Sequence, residues 1–305
     1  MSTSHDPSTE AAVHAMSGLP EPAPVTSSGV PVGFKAGRTL PVRVELARQL
    51  RRRRTQLSLA FMVLLPIILV IAFSVGDDNG GNRSSFVDLA GAGAANFAMV
   101  TLFFSTSFLL IVVIALFFGD TIASEASWSS LRYLLAMPVP RIRLLRQKIL
   151  VAGLLSLIAL ALLAVSGWLI GLIVYGNGPL TTPIGDTFTG MDSIGRLGLV
   201  LCYVVVQLTW VAGLAFFLSV STDAPLGAVG GAVLLAILSQ ILNQIDALED
   251  LRNLLPTRYA FSWTGALVDP VRWDDMVRGG FSSLAYAVVF FGLGVLRFRR
   301  KDITS

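Results

Sequence analysis

Apolar residues run through this chain in six long blocks separated by polar stretches: Leu57–Val75, Ala95–Phe118, Ile149–Tyr175, Leu197–Val220, Leu226–Ile245 and Phe281–Leu296. A helix needs roughly 20 apolar residues to cross about 30 Å of hydrocarbon. Each block meets that length or nearly does. The pattern predicts an all-α polytopic membrane protein with six transmembrane helices. The sixth block is the shortest and contains Gly292 and Gly294. Pro66, inside the first block, predicts a kink. Residues 1–40 are rich in Ser, Thr, Pro, Ala and Gly and lack an apolar stretch, which predicts a disordered tail ahead of a membrane domain over 41–305. The tail has no basic start followed by an apolar core, so it is not a signal peptide, and the first block is expected to be an uncleaved span.

The polar stretches are patterned too. Before the first block, Val42–Arg51 is amphipathic: Leu46 and Leu50 stand four apart, among Arg43, Glu45, Arg48 and Arg51. This predicts either an interfacial helix lying flat on one leaflet or a plain basic anchor. Between the second and third blocks lie about thirty residues with three parts. Asp120 and Glu125 open the stretch, an amphipathic segment carries Leu131, Leu134 and Leu135, and Pro138 precedes a basic helix start at Arg141, Arg143, Arg146 and Lys148. Between the fifth and sixth blocks, Leu248, Leu251 and Leu255 recur at helical spacing until Pro256, and Phe261, Trp263, Leu267 and Trp273 add apolar bulk. A structured pair of short, partly membrane-dipping helices fits this stretch better than a loose loop.

Charge sets the expected orientation. Only 14% of the 305 residues are charged and 54% are hydrophobic, against about 25% charged in soluble domains. The net charge is +4, but the basic residues crowd the ends of apolar blocks, which argues membrane topology and not nucleic acid. With the N-terminus inside, 17 Lys and Arg fall on the cytoplasmic side and 6 on the other. Both termini are then cytoplasmic, in a multi-pass protein of the plasma (inner) membrane.

The candidate chemistry is sparse. The three lysines, Lys35, Lys148 and Lys301, follow Phe34, Gln147 and Arg300, so no Walker A loop is present. No H-E-x-x-H, zinc-type cysteine spacing or G-x-S-x-G elbow occurs. Both histidines, His5 and His14, lie in the tail, and Cys202 is the single cysteine; no metal or catalytic site is expected in the membrane body. The span interiors are nearly free of ionisable groups, which disfavours a proton- or sodium-coupled carrier. They do hold neutral polar residues: Ser105, Thr106 and Ser107 in the second, Gln207 and Thr209 in the fourth, and Ser239, Gln240, Asn243 and Gln244 in the fifth. Helix–helix hydrogen bonds worth about 0.6–2 kcal/mol each explain such residues, as does a weakly polar lining for an amphipathic substrate. Gly167 and Gly171 form a G-x-x-x-G step suited to close helix packing. Asp120 and Glu125 are either solvated charges ending a span or carboxylates that cap N–H groups and pair with arginine.

The loop from Asp120 to Lys148 resembles the first cytoplasmic loop of ABC-2 type export permeases, through Asp120, Glu125, Ser129, Leu134-Leu135, Pro138, Arg141 and Lys148. Ser129 stands where that family often has glycine. The ending Phe298-Arg299-Arg300-Lys301-Asp302-Ile303 is similar too, and the likeness covers roughly residues 42–303. The resemblance implies the membrane subunit of an ATP-driven exporter, with two copies of a separate ATP-binding subunit and a second permease, identical or homologous. ATP and Mg²⁺ would sit on the partner, and this chain would bind no cofactor beyond contact with membrane lipids. Asp120–Met137 would be a coupling helix, with Asp120, Glu125, Ser129, Arg132, Pro138, Arg141 and Lys148 in the coupling region. The second and fifth spans would line the path. A membrane enzyme acting on lipids and a non-transporting anchor or assembly subunit are the rival expectations.

Overall fold

The computed structural model describes residues 41–77, 85–127, 141–182 and 186–300. The N-terminal tail, and Ser129, Arg132 and Pro138 of the loop, lie outside the described residues, as do the side chains of Glu125 and Arg141. Ten α-helices are described: α1 (Val42–Leu50), α2 (Arg53–Asp77), α3 (Ser85–Gly91), α4 (Ala94–Thr106), α5 (Leu109–Ser127), α6 (Arg141–Tyr175), α7 (Gly190–Gln207), α8 (Thr209–Ser221), α9 (Pro225–Asn243) and α10 (Asp274–Arg300). Two short strands, β1 (Leu180–Thr181) and β2 (Thr187–Phe188), pair antiparallel between α6 and α7.

Among the described residues, five helical stretches are long and apolar enough to cross a bilayer: α2, α6, the α7–α8 pair, α9 and α10. The α4–α5 pair makes a sixth if counted as one span, bent by 58° at its break. The chain is a multi-pass membrane protein. Each predicted block falls on one of these stretches, and Pro66 lies inside an unbroken α2.

The break in the second span has a local cause. Ser105 and Thr106 both turn their hydroxyls back onto the Leu102 carbonyl, at 3.0 and 2.6 Å. Such back-bonding draws a helical carbonyl off its ladder and bends the helix. The Ser107 carbonyl then receives the Gln240 side-chain amide from α9, at 2.6 Å. A long-range donor thus satisfies a carbonyl exposed at the bend, which hydrocarbon could not do.

α8 is the central helix. Trp210, Val211, Leu214, Ala215, Phe216 and Val220 are all buried, and α8 packs against α5, α9 and α10. α4 and α2 both pack on α6. The Gly167/Gly171 step faces α4, where a Cβ on Gly171 would meet the Phe97 Cβ at 2.9 Å and the Ala94 Cα at 3.0 Å. This step closes a contact within the chain. Asn96 on α4 brackets β1, its amide donating to the Thr181 carbonyl at 2.6 Å and its oxygen accepting from the Thr181 N–H at 2.9 Å.

The stretch before the last span holds two short helical segments, both 3-10 in geometry, Asp246–Leu254 and Ser262–Leu267. The first is interrupted at Glu249, whose φ is 41°. Side chains of the spans account for this course. Arg196 donates to the Ala266 and Val268 carbonyls, at 2.8 and 2.7 Å. Gln207 donates to the Pro256 carbonyl, Tyr203 to that of Tyr259 and Tyr286 to that of Leu254, at 2.6–2.8 Å. These donors hold the backbone of residues 254–268 against α7 and α10.

Candidate functional site

Among the described residues, the buried charged side chains, Glu45, Asp120 and Lys148, gather at one end, where α1 and α2 meet the end of α5 and the start of α6. Burial there follows from the sequence of α1. Its apolar residues Val42, Leu46 and Leu50 lie against the hydrophobic core, and that packing turns Glu45 inward to 8% exposure. A buried carboxylate needs partners. Arg48 reaches Glu45 at 2.8 Å, the Gln49 amide at 3.2 Å and the Lys148 Nζ at 3.5 Å. Burial pushes the Glu45 carboxyl up, but the cations Lys148 and Arg48 outweigh it and hold the group below its ordinary value.

Beside it, Asp120 on α5 is 6% exposed. Arg52 reaches its Oδ2 at 3.2 Å, and Arg54 bonds to its Oδ1. Two guanidinium groups, one just before α2 and one in its first turn, therefore share one carboxylate. The crevice among Glu45, Arg54, Thr55, Asp120 and Lys148 measures about 20 Å³, room for about one water. The ion pairs of this cluster tie α1, α2, α5 and α6 together as a joint.

The α5 side of the joint is fastened further. The N–H groups of Ile122 and Ala123 both donate to the Ser219 hydroxyl of α8, at 3.0 and 3.1 Å. Gly119 lets α9 approach, since a Cβ there would meet Val229 at 2.9 Å. α5 runs on past Gly119 as far as Ser127. The chain then runs through 128–140 and re-enters α6, whose Lys148 closes back onto Glu45.

Asp120, Lys148, Glu45 and Arg48 were legible as candidates, and the structure brings them into one cluster. Arg43 and Arg51 are exposed on the outer side of α1. Arg52, Arg54 and Ser219 were missed. The signal for the two arginines was the run Arg51–Arg54, the densest cation source near a carboxylate at a span end.

The model of a family described as a protein of unknown function, DUF2705, matches residues 61–304. The chain is a DUF2705 protein. No curated protein matches it. The matched stretch takes in Asp120, Lys148 and Ser219, while Glu45, Arg52 and Arg54 precede it.

The other candidate residues of this DUF2705 chain are the neutral polar ones. Ser105 and Thr106 bond to their own helix, and the Ser107 carbonyl binds Gln240. Gln207, 2% exposed, accepts from the Ser283 hydroxyl at 2.8 Å and donates to the Pro256 carbonyl. Thr209 bonds to the Val206 carbonyl of its own span. The Ser239 and Thr257 hydroxyls lie 2.7 Å apart. Gln244 is exposed, and the Asn243 Oδ1 is buried without a partner. The second and fifth spans meet directly, α5 packing along α9.

Proposed function

We propose that this DUF2705 chain is the permease subunit of an ABC exporter, driven by a separate ATP-binding subunit that carries ATP and Mg²⁺. One observation supports the reading beyond the loop's likeness to ABC-2 permeases. Both roots of the loop between the second and third spans are tied into the same charged joint, through Asp120 to Arg52 and Arg54 and through Lys148 to Glu45. A soluble partner pushing on that loop would move α1, α2, α5 and α6 together.

The rest follows from the packing. α5 is fixed at the joint and lies along α8 and α9, while the bend at Ser107–Phe108 uncouples it from α4. Force entering at the joint would swing α5 about that bend and shift its contact with α9. The basic-rich end, with the joint, faces the cytoplasm in this reading, as do both termini. A second permease copy, identical or homologous, would complete the path. Among the described residues, the lack of buried charge along the spans, joint apart, suits an amphipathic cargo: drug-like, peptide or lipid-like.

The test is Glu125→Ala, in the loop's acidic start. We expect expression and membrane insertion to be unchanged while ATP hydrolysis by the assembled complex no longer drives export. Export at the unmodified rate would remove the coupling role.

A further inference from the structure

A cleft of about 360 Å³ opens between α5, α6 and the α7–α8 junction. Its buried floor is Leu110, Ile114 and Phe118 from α5 and Leu208 and Ala212 from the junction, and the two hydroxyl residues of the lining, Ser156 and Thr209, donate to carbonyls of their own spans. Its wall is a stripe of α6 that is strongly exposed, with Leu150 at 48%, Leu154 at 38% and Leu157 at 48%. Gly153 opens the middle of the wall, since a Cβ there would meet nothing within 4 Å. From Leu150 to Leu160 the cleft follows α6 for about 15 Å at 1.5 Å per residue, close to half of the ~30 Å hydrocarbon core.

One turn before Leu150, on the same face of α6, stands Arg146. Positions 146, 150, 153 and 157 share one stripe by the helical repeat. Arg146 is exposed, at the end of the helix that lies at the membrane surface. An apolar slot one leaflet deep thus ends beneath an outward-facing guanidinium.

We propose that this cleft is a binding site for one anionic phospholipid, an acyl chain lying along Leu150–Leu160 and the headgroup phosphate on Arg146. The depth argues against a helix of a second copy, which would need a groove across the whole bilayer. Charge argues the same way, because this end of the chain is crowded with arginines, Arg51–Arg54, Arg297, Arg299 and Arg300 included, and a second copy would bring more of them to Arg146. An anionic headgroup is the complementary occupant, drawn by about 1 kcal/mol per basic residue near the surface. The site is independent of the exporter reading, since it concerns the membrane around the chain and not its cargo.

The test is native mass spectrometry of the full chain in nanodiscs of equimolar phosphatidylglycerol and phosphatidylcholine with matched acyl chains. The unmodified chain should retain one lipid on release, with phosphatidylglycerol favoured about fivefold. Arg146→Glu should abolish that preference, and Gly153→Phe, which fills the cleft, should abolish retention of either lipid. A thermal melt of each variant separates loss of the site from loss of fold, and Leu157→Trp supplies a second way to fill the cleft. Retention without headgroup preference, a preference unchanged in Arg146→Glu, or a filled-cleft variant that still holds its lipid would overturn the proposal. So would a dimer crosslinked through α6 in place of a retained lipid. Loss of export in any variant bears on neither outcome, because the readout is the bound lipid.

Discussion

Removing the Asp120 carboxylate should loosen the joint by a calculable amount. Each of its oxygens accepts from a separate arginine, and hydrogen bonds to charged groups contribute about 1.5–3 kcal/mol each. The two arms differ in exposure. The Arg52 side chain is 26% exposed and that of Arg54 40%, so Arg54 can turn to water or headgroups and its arm sits near the 0–1 kcal/mol of surface pairs. The Arg52 arm keeps about 2 kcal/mol. Asp120→Ala should therefore cost about 3 kcal/mol, and Asp120→Asn, which retains one acceptor oxygen, about half of that. The assay is reversible unfolding in mixed micelles with a double-mutant cycle. Coupling between Asp120→Ala and Arg52→Ala should exceed that between Asp120→Ala and Arg54→Ala, with the former near 1–2 kcal/mol. Coupling below about 0.3 kcal/mol for both pairs, within the error of additive sites, would refute the claim that Asp120 holds α2 to α5.

Three further predictions concern the scaffold. Gly171→Leu should destabilise the chain by about 1–3 kcal/mol through overpacking against Phe97 and Ala94, while Gly153→Ala should be near neutral, both read by thermal melts in detergent. The lowered Glu45 value predicts a pH limb. Its contribution is complete above the ordinary carboxylate value of 4.5, is lost as pH falls through the depressed folded value, and should be absent in Glu45→Gln when melting is followed from pH 7 to pH 3. Gln207→Leu strands the Pro256 carbonyl and the Ser283 hydroxyl at about 1–3 kcal/mol each, and hydrogen exchange of residues 256–267 should speed up in that variant; unchanged protection there would show that Gln207 does not hold the segment.

What could be read from the sequence follows from how each feature is encoded. The spans are written in composition over some twenty residues, so Leu57–Val75 and Leu226–Ile245 appear at almost their observed limits. The amphipathic repeat of Leu46 and Leu50 likewise locates α1, which packs on α6 and α2. The bend in the second span is written in three-dimensional partners: Ser105, Thr106 and Ser107 signalled polarity, but the amide that makes the bend tolerable comes from Gln240, 133 residues away. The role of Gly119 has no local signal either: it is the space that Val229 of α9 needs. The leucine spacing at 248, 251 and 255 located a short helical segment, observed as 3-10 turns, but the donors Gln207, Tyr203 and Arg196 that hold the backbone after it come from α7 and leave no local trace. Asp120 was legible as a carboxylate at a span end, but its pairing with Arg52 and Arg54 depends on where the start of α2 comes to lie against the end of α5, which no local pattern records.

The most direct test of the central claim is to purify the tagged chain from its native membrane in mild detergent and identify by mass spectrometry what comes with it. The account predicts an ATP-binding subunit carrying a Walker A loop, in equal amount, released when Glu125 and Leu134 are both replaced. A chain that emerges alone from several detergents, and that crosslinks to no such ATPase in the membrane, would contradict it, and the joint at Asp120 and Glu45 would then be a structural fastening with no partner to serve.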